Sequence, residues 1–314
     1  MKQPLMADGP STAGPPPVAG GPSDPARGPS DPARGPSDPA RGPSDPARGP
    51  SDPARGAAAP ADPTGEATLE AFRENARYSR FLWERLQAIS PRPVAGRILE
   101  AGCGIGNLTR LILESPAVAS LHAIDLDPAY VERVRTEIPD PRLETAVASL
   151  EAYRGPDGAA RPHFDFIVST NVLEHIDDHV AALANLGAQL APGGTFLLLV
   201  PAHPALYCGL DRNLSHFRRY SRGALEEAAQ RAGLAVIRLR HFNPVGACGW
   251  WWNGKVLRRG LLPAGQLSLY TRFAIPLSAF IDRWNPFPFG VSLLAALGVH
   301  QGLAGARSSP GGAS

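Results

Sequence analysis

Two hydrophobic rhythms alternate along residues 66–299. Residues 66–89 (EATLEAFRENARYSRFLWERLQAI) put Leu69, Phe72, Ala76, Phe81, Leu82 and Leu86 near one helical stripe, and Pro91 and Pro93 close the segment. Short apolar runs follow at 97–101, 121–125, 143–148, 164–169, 195–201, 234–242 and 292–299, each the length of a buried strand. The first five are separated by helices or helix-sized gaps, and a further helix is expected at 222–232. Short apolar strands joined by such crossovers imply a parallel sheet covered on both faces. The pattern therefore predicts an α/β fold: a doubly wound, mostly parallel sheet of seven strands with helices on both faces, finished by the last two strands as an edge pair. Gly193 and Gly194, after Pro192, mark the turn into the fifth strand.

One junction in this pattern carries chemistry. The run RILEAGCGIGNLTRLIL (97–113) ends an apolar strand at Glu100 and opens into Gly102, Gly104 and Gly106. Alternating glycines let the backbone turn sharply from strand to helix and approach a ligand closely. In a doubly wound sheet, ligands bind outside the carboxyl ends of the strands, where this loop lies. Asp125 ends the next strand 19 residues after Gly106, a spacing that also suits the ribose-binding acid of a nicotinamide-dependent oxidoreductase. Two residues count against a dinucleotide. Asn107 stands where the phosphate fingerprint needs a third-spaced glycine, and Glu100 would repel a pyrophosphate. Both suit a cofactor with a cationic amino-acid end, an adenosine ribose and no phosphate.

Composition limits the rest of the chain. From Gly21 to Arg55 the sequence GPSDPAR repeats five times, with two prolines and no large apolar residue in each unit. The seven-residue period cannot be a coiled coil, because proline blocks the helix and no seam exists. Residues 1–63 are expected to form a disordered, partly extended arm. Residues 64–303 make one domain, within which 244–291 is an apolar, basic insertion or lid, and 304–314 form a disordered tail. The net charge of +2 implies no nucleic-acid partner. Cys103, Cys208 and Cys248 lack metal-ligand spacing, so no metal site is expected, and MKQPLMADGP has no apolar signal segment. A cytoplasmic location follows as the expectation. The uncharged stretch 285–306 is broken by Pro286, Pro288 and four glycines and does not read as a membrane span.

Four segments, in order over about 100 residues, resemble the class I S-adenosylmethionine-dependent methyltransferases: LEAGCGIGN, AIDLDP, FDFIVSTNVLEHIDD and LAPGGTFLLLVP. The resemblance implies a Rossmann-like fold and S-adenosylmethionine as cofactor. It implies that Glu100 faces the methionine ammonium, that the backbone of Gly102, Gly104 and Gly106 lies along the cofactor, and that Asp125 accepts both ribose hydroxyls. Asn107, Leu126, Ser149 and Asn171 complete the implied cofactor contacts. Ser149 departs from the family, since many members place an Asp there against the adenine amino group. Dinucleotide chemistry and a non-catalytic Rossmann-like adaptor are the competing readings; failure to bind S-adenosylmethionine would favour the adaptor.

Methyl transfer from a sulfonium needs mainly in-line positioning and exclusion of water. A hydroxyl acceptor also needs a base within hydrogen-bond reach. His175, His203 and His216 are the candidates, against the plainer reading of His175 as a helix-start residue. Asp211, Arg218, Arg219 and Tyr220, in the long segment after the fifth strand, together with Trp250, are candidate substrate residues, and the arginines suit an anionic acceptor. The competing reading is a solvated basic turn. VPAHPALY, LDRNLSHFRRYS and HFNPVGACGWWWNGKVLRR resemble a bacterial subgroup linked with polyprenyl-phosphate-type glycosyltransferases. That favours a small molecule such as a sugar, glycolipid or anionic metabolite; Val172 and Leu173 after Asn171 lack the Asn-Pro-Pro-aromatic segment of amino-methylating DNA enzymes. In the insertion, Trp250, Trp251 and Trp252 adjoin Lys255, Arg258 and Arg259, which suits either a helical lid or peripheral contact with the inner face of the membrane.

Overall fold

A computed structural model describes Glu70 and residues 76–159, 163–260, 270–284 and 288–299. The expected arm at 1–63 and the tail at 304–314 lie outside the described residues, as do Leu69 and Phe72 of the first helical stripe. In chain order the elements are α1 (Ala76–Ile89), β1 (Gly96–Ala101), α2 (Asn107–Leu113), β2 (Val118–Asp125), α3 (Pro128–Glu137), β3 (Leu143–Val147) and β4 (Phe164–Thr170). There follow α4 (His179–Gly187), β5 (Leu190–Pro201), α5 (Gly209–Asn213), α6 (Arg222–Arg231), β6 (Leu234–Phe242), α7 (Pro244–Trp251), α8 (Ile275–Trp284) and β7 (Ser292–Val299).

The seven strands form one sheet in the order β3-β2-β1-β4-β5-β7-β6. All pairings are parallel except those of β7, which runs antiparallel to both β5 and β6. The last two strands finish the sheet as an edge pair, with β7 between β5 and β6, so that β6 is the edge strand at that end and β3 at the other. Strand order reverses between β1 and β4, which places a crevice at their carboxyl ends. Gly193 and Gly194 do not precede the fifth strand. They interrupt a longer one, because Leu190 already pairs with Phe164 and the register then slips before Thr195 meets Phe166.

Alternate side chains of each central strand bury on opposite faces. Ile98, Leu121, Phe166, Leu197 and Leu199 pack with Phe81, Leu82, Trp83 and Leu86 of α1 and with Leu108, Leu111 and Ile112 of α2. On the other face Leu99, Ile124, Ile167, Phe196 and Leu198 pack with Leu183 and Leu186 of α4 and Leu225 and Ala228 of α6. Helix starts follow their capping residues. Asp127 precedes Pro128 and accepts the Ala129 amide, Asp178 that of Ala181, and Ser221 that of Ala224.

The insertion folds back on the domain. Asn243, buried at φ +62°, caps α7 by accepting the Gly246 amide at 2.8 Å, and the same oxygen accepts the Ser278 hydroxyl of α8 at 2.9 Å. Ile275 anchors α8 in the core beside Phe81 and Phe242. No described helix is long and apolar enough to cross a membrane.

Candidate functional site

At the carboxyl end of β1 the backbone turns through Gly102, Gly104 and Gly106 at φ of +89°, +50° and +82°. All three lie in the left-handed region that strains an L side chain. Gly102 is constrained twice, since a Cβ there would stand 2.2 Å from Cγ2 of Val172 and the loop thus presses on the chain leaving β4. α2 begins directly after Gly106 with no side-chain cap, leaving its first amides to the loop.

Two acids bracket this loop. Asp125 closes β2, where Oδ2 accepts the Gly104 amide at 2.8 Å and Oδ1 that of Asp127 at 3.1 Å. Burial raises its carboxyl above the usual range, against the pull of these hydrogen bonds. Glu100 is buried in β1, and its Oε2 accepts the Thr109 hydroxyl at 2.6 Å. Burial pushes Glu100 up to about 8; the Thr109 hydrogen bond pulls it down and the Asp125 charge adds to the rise. Arg110 is turned away to the Ile105 and Gly106 carbonyls and to Glu137. An acid pair on a left-handed glycine turn fits a ligand that brings a cation and hydroxyl donors rather than phosphate.

The other expected cofactor residues gather at the same end. Leu126 follows Asp125 and is 70% exposed, an apolar surface for a flat ring. The Ala148 amide donates to the Asp125 carbonyl at 2.9 Å, which holds the exit of β3, with Ser149, beside β2. Asn171 leaves β4 at φ +53° with its side chain exposed, and Asn107 opens α2. An open groove of about 630 Å³ lined by His122, Asp140, Pro141 and Glu144 lies where β3 begins, at the opposite end of the sheet, and does not coincide with this site.

Past β4 lies a second cluster. Glu174, in the short turn Leu173–His175, is fully buried, and neither carboxylate oxygen has a hydrogen-bond partner. Burial pushes it up to about 7, opposed by His216. His216 turns Nδ1 to Asp211 Oδ1 at 3.0 Å and Nε2 toward Glu174 Oε1 at 3.9 Å, while the exposed His175 ring meets it edge-on at 4.8 Å between centroids. Asp211 also accepts Nε of Arg219 at 2.6 Å and the Cys208 amide at 2.9 Å. Burial opposes its ionisation, but His216 and Arg219 outweigh burial and hold the carboxyl below the usual range. His203 lies apart from this pair of rings. It stacks on His241 at 5.0 Å, burial and Arg219 lower its pKa, and its Nε2 has no hydrogen-bond partner.

The segment after β5 overturns the competing reading of a solvated basic turn. A bridge between Ala202 and Tyr220 draws the chain down onto the sheet, and Asp211, Arg218, Arg219 and Tyr220 are all buried. Tyr220 belongs to the core, its hydroxyl 2.9 Å from His179 Nδ1. Asp211 and Arg219 form an ion pair behind His216, and Trp250 lies under the Arg219 guanidinium at 4.5 Å. A solvated basic turn therefore does not describe Asp211, Arg218, Arg219 and Tyr220. Arg218 donates to the Asp177 carbonyl at 2.9 Å and leaves Nε and Nη1 without partners. Sequence reasoning missed Glu174, whose one signal was an acid directly before His175 at the exit of a buried strand.

Comparison with known proteins agrees with this geometry. A family model described as a methyltransferase domain matches residues 72–239, just over half of the chain. A Mycolicibacterium smegmatis protein named a probable S-adenosylmethionine-dependent methyltransferase is 30% identical over 175 residues, 55% of this chain and 65% of its own length. Trans-aconitate 2-methyltransferase of Delftia acidovorans is 31% identical over 132 residues, 40% of this chain and 48% of its own. The chain thus spans about half to two thirds of the length of these curated relatives. Among solved structures, a geranyl diphosphate methyltransferase in complex with S-adenosylmethionine superposes with a TM-score of 0.51 at 15% identity, covering 77% of this chain and 93% of its own, a likeness of fold. A family match over residues 72–239, the reversed strand order at β1 and β4, and the acid-bracketed glycine turn lead to one conclusion: the chain belongs to the methyltransferase-domain family, as a class I S-adenosylmethionine-dependent member.

Proposed function

We propose that this protein transfers a methyl group from S-adenosylmethionine to a small-molecule acceptor, a hydroxyl of an anionic metabolite or glycolipid. The observation that carries the reading is the acid-bracketed turn of Gly102, Gly104 and Gly106 at the crevice of the sheet. When bound, the cofactor supplies a methyl group already activated on a sulfonium. Glu100 faces the cationic amino-acid end, Asp125 accepts the ribose hydroxyls, and Leu126, Ser149 and Asn171 border the base and the methyl path. Burial and Arg219 lower the His203 pKa and so favour its neutral ring, and its unpartnered Nε2 supports a role as proton acceptor for the hydroxyl. The spare Nε and Nη1 of Arg218 and the acidic acceptor in the name of the trans-aconitate relative support an anion. A labelled-methyl screen against cell extract, split into lipid and aqueous fractions, tests this; label found only on protein or nucleic acid would contradict it.

The insertion supports a location at the inner face of the membrane. Trp251, Trp252, Phe273, Leu277 and Phe280 are exposed, and Lys255, Arg258 and Arg272 are exposed in the turns that follow α7 and precede α8. Aromatic residues beside cations suit the headgroup layer of an anionic bilayer. Retention on phosphatidylglycerol vesicles and loss of it in Trp251→Ala/Trp252→Ala is the expected result, and equal retention by the double variant would refute the contact.

A further inference from the structure

We propose that Glu174, His175 and His216 form a site for a divalent first-row transition-metal ion, which holds the acceptor oxygen beside the methyl donor. One ligand atom from each residue can be chosen so that all lie within 4.8 Å of one another. The three come from two segments 41 positions apart, brought together by the chain's return across the sheet, where the Phe217 amide donates to the Glu174 carbonyl at 2.8 Å.

The environment is built in the way a metal site requires. A fully buried carboxylate with no hydrogen bond to either oxygen is costly to keep, and a bound cation relieves that cost. His216 does not make a close ion pair with it: Nε2 stops 3.9 Å from Oε1, beyond hydrogen-bond range. Bonds of roughly 2.0–2.2 Å from one ion to an imidazole nitrogen and a carboxylate oxygen span that gap. The other nitrogen of His216 is bound to Asp211 at 3.0 Å, and Asp211 is fixed by Arg219 and the Cys208 amide. With Nδ1 protonated toward Asp211, the Nε2 lone pair points at Glu174; a carboxylate behind a ligating histidine sets its tautomer and orientation. His175 is exposed, and its ring, edge-on to His216, is near enough to supply the third ligand from the solvent side.

Two imidazoles and one carboxylate with open positions suit zinc, iron, manganese or cobalt rather than magnesium or calcium, which favour all-oxygen sites. The cluster is next to the cofactor loop, because Val172, two residues before Glu174, packs against Gly102. The role assigned to the ion rests on the methyltransferase reading. An acceptor hydroxyl bound to the ion loses its proton more readily, to water on the open side of the site. Its oxygen then bonds to the methyl carbon as the carbon–sulfur bond breaks, and the electron pair returns to sulfur to leave a neutral thioether.

The test uses the full chain, stripped with chelator, without S-adenosylmethionine or acceptor. Calorimetry with Zn²⁺ and visible absorption with Co²⁺ are expected to give one ion per chain and cobalt bands of mixed nitrogen and oxygen ligation that zinc displaces. Glu174→Gln and His216→Ala should lose about 100-fold or more in affinity and Asp211→Asn, a positioning residue, about 10- to 100-fold. Glu227→Gln, exposed on α6, should bind like the wild type. Because Glu174→Gln alters a buried position, exposed His175→Ala serves as the second variant, expected to lose at least about tenfold. No stoichiometric metal in the wild type, or wild-type affinity in His175→Ala, overturns the site. A chain that binds Co²⁺ but not S-adenosylmethionine supports the site and removes its assigned role; one that binds S-adenosylmethionine but not Co²⁺ overturns the site alone.

Discussion

Asp125 reaches across 21 positions of sequence to accept the amide of Gly104 at 2.8 Å. The carboxylate that closes β2 thereby sets the conformation of the loop that leaves β1, before any ligand arrives. Pre-setting a loop in this way lowers the ordering cost of binding. Replacing Asp125 by Ala should therefore weaken S-adenosylmethionine through two losses, the ribose partner and the loop tether. Hydrogen bonds to a charged group contribute about 1.5–3 kcal/mol each, so affinity measured by calorimetry should fall by roughly 10- to 100-fold or more. Asp125→Asn should fall less, and an unchanged affinity in Asp125→Ala would contradict the assignment.

Gly102 is predicted to tolerate no side chain. At φ +89° an alanine is strained by about 1–3 kcal/mol. Its Cβ would also overlap Val172 Cγ2 at 2.2 Å, and overpacking of this kind costs a further ~1–3 kcal/mol. Gly102→Ala should lower the melting temperature by several degrees. Adding Val172→Ala should recover part of the loss, by removing the overlap but not the backbone strain; simple additivity of the two would argue against the contact.

Glu100 makes stability and binding depend on pH. Its folded value of about 8 lies above the ordinary carboxylate value, so the folded chain keeps a proton that the unfolded chain releases. The stabilisation is full below about pH 4, declines as pH rises toward 8 and is lost above it. Thermal melts of Glu100→Gln should therefore gain on the wild type across that window. An ammonium brought by the cofactor favours the ionised carboxylate, so binding at pH 7 should release protons, visible as a dependence of the calorimetric heat on buffer ionisation enthalpy. Glu100→Gln should abolish that dependence.

Tyr220 is predicted to matter for the fold and not for the ligand. Tyr220→Phe removes the hydroxyl facing His179 Nδ1 at 2.9 Å in the core, a loss of about 1–3 kcal/mol if the ring nitrogen is left unsatisfied. Denaturant melts should register it, while S-adenosylmethionine affinity stays unchanged. Lower acceptor turnover at unaltered stability would restore Tyr220 to the acceptor site.

What the sequence made legible follows from local rules. Strand positions, the helix at Arg222–Arg231 and the glycine turn are set by near neighbours, and the acids Glu100 and Asp125 lie where a strand ends. The insertion of β7 between β5 and β6 was not legible, because pairing order depends on contacts among residues 50 or more positions apart. The burial of Arg218, Arg219 and Tyr220 escaped for a related reason. Charged residues in a loop read as solvated until the Ala202–Tyr220 bridge and the Asp211 pair are known. His216 was legible as a candidate base, but Glu174 meets it only in three dimensions and so reads alone as unremarkable.

The most direct measurement is calorimetric titration of the wild type and Gly104→Arg with S-adenosylmethionine and, separately, with a reduced nicotinamide dinucleotide. Gly104 sits at φ +50° on the turn that Asp125 holds, and an arginine there places a long cation against the cofactor's own. The account predicts one S-adenosylmethionine per wild-type chain, no dinucleotide binding, and loss of S-adenosylmethionine binding in Gly104→Arg with the melt still cooperative. A wild type that ignores S-adenosylmethionine, or a Gly104→Arg variant that binds it equally well, would contradict the assignment of this crevice as the methyl-donor site.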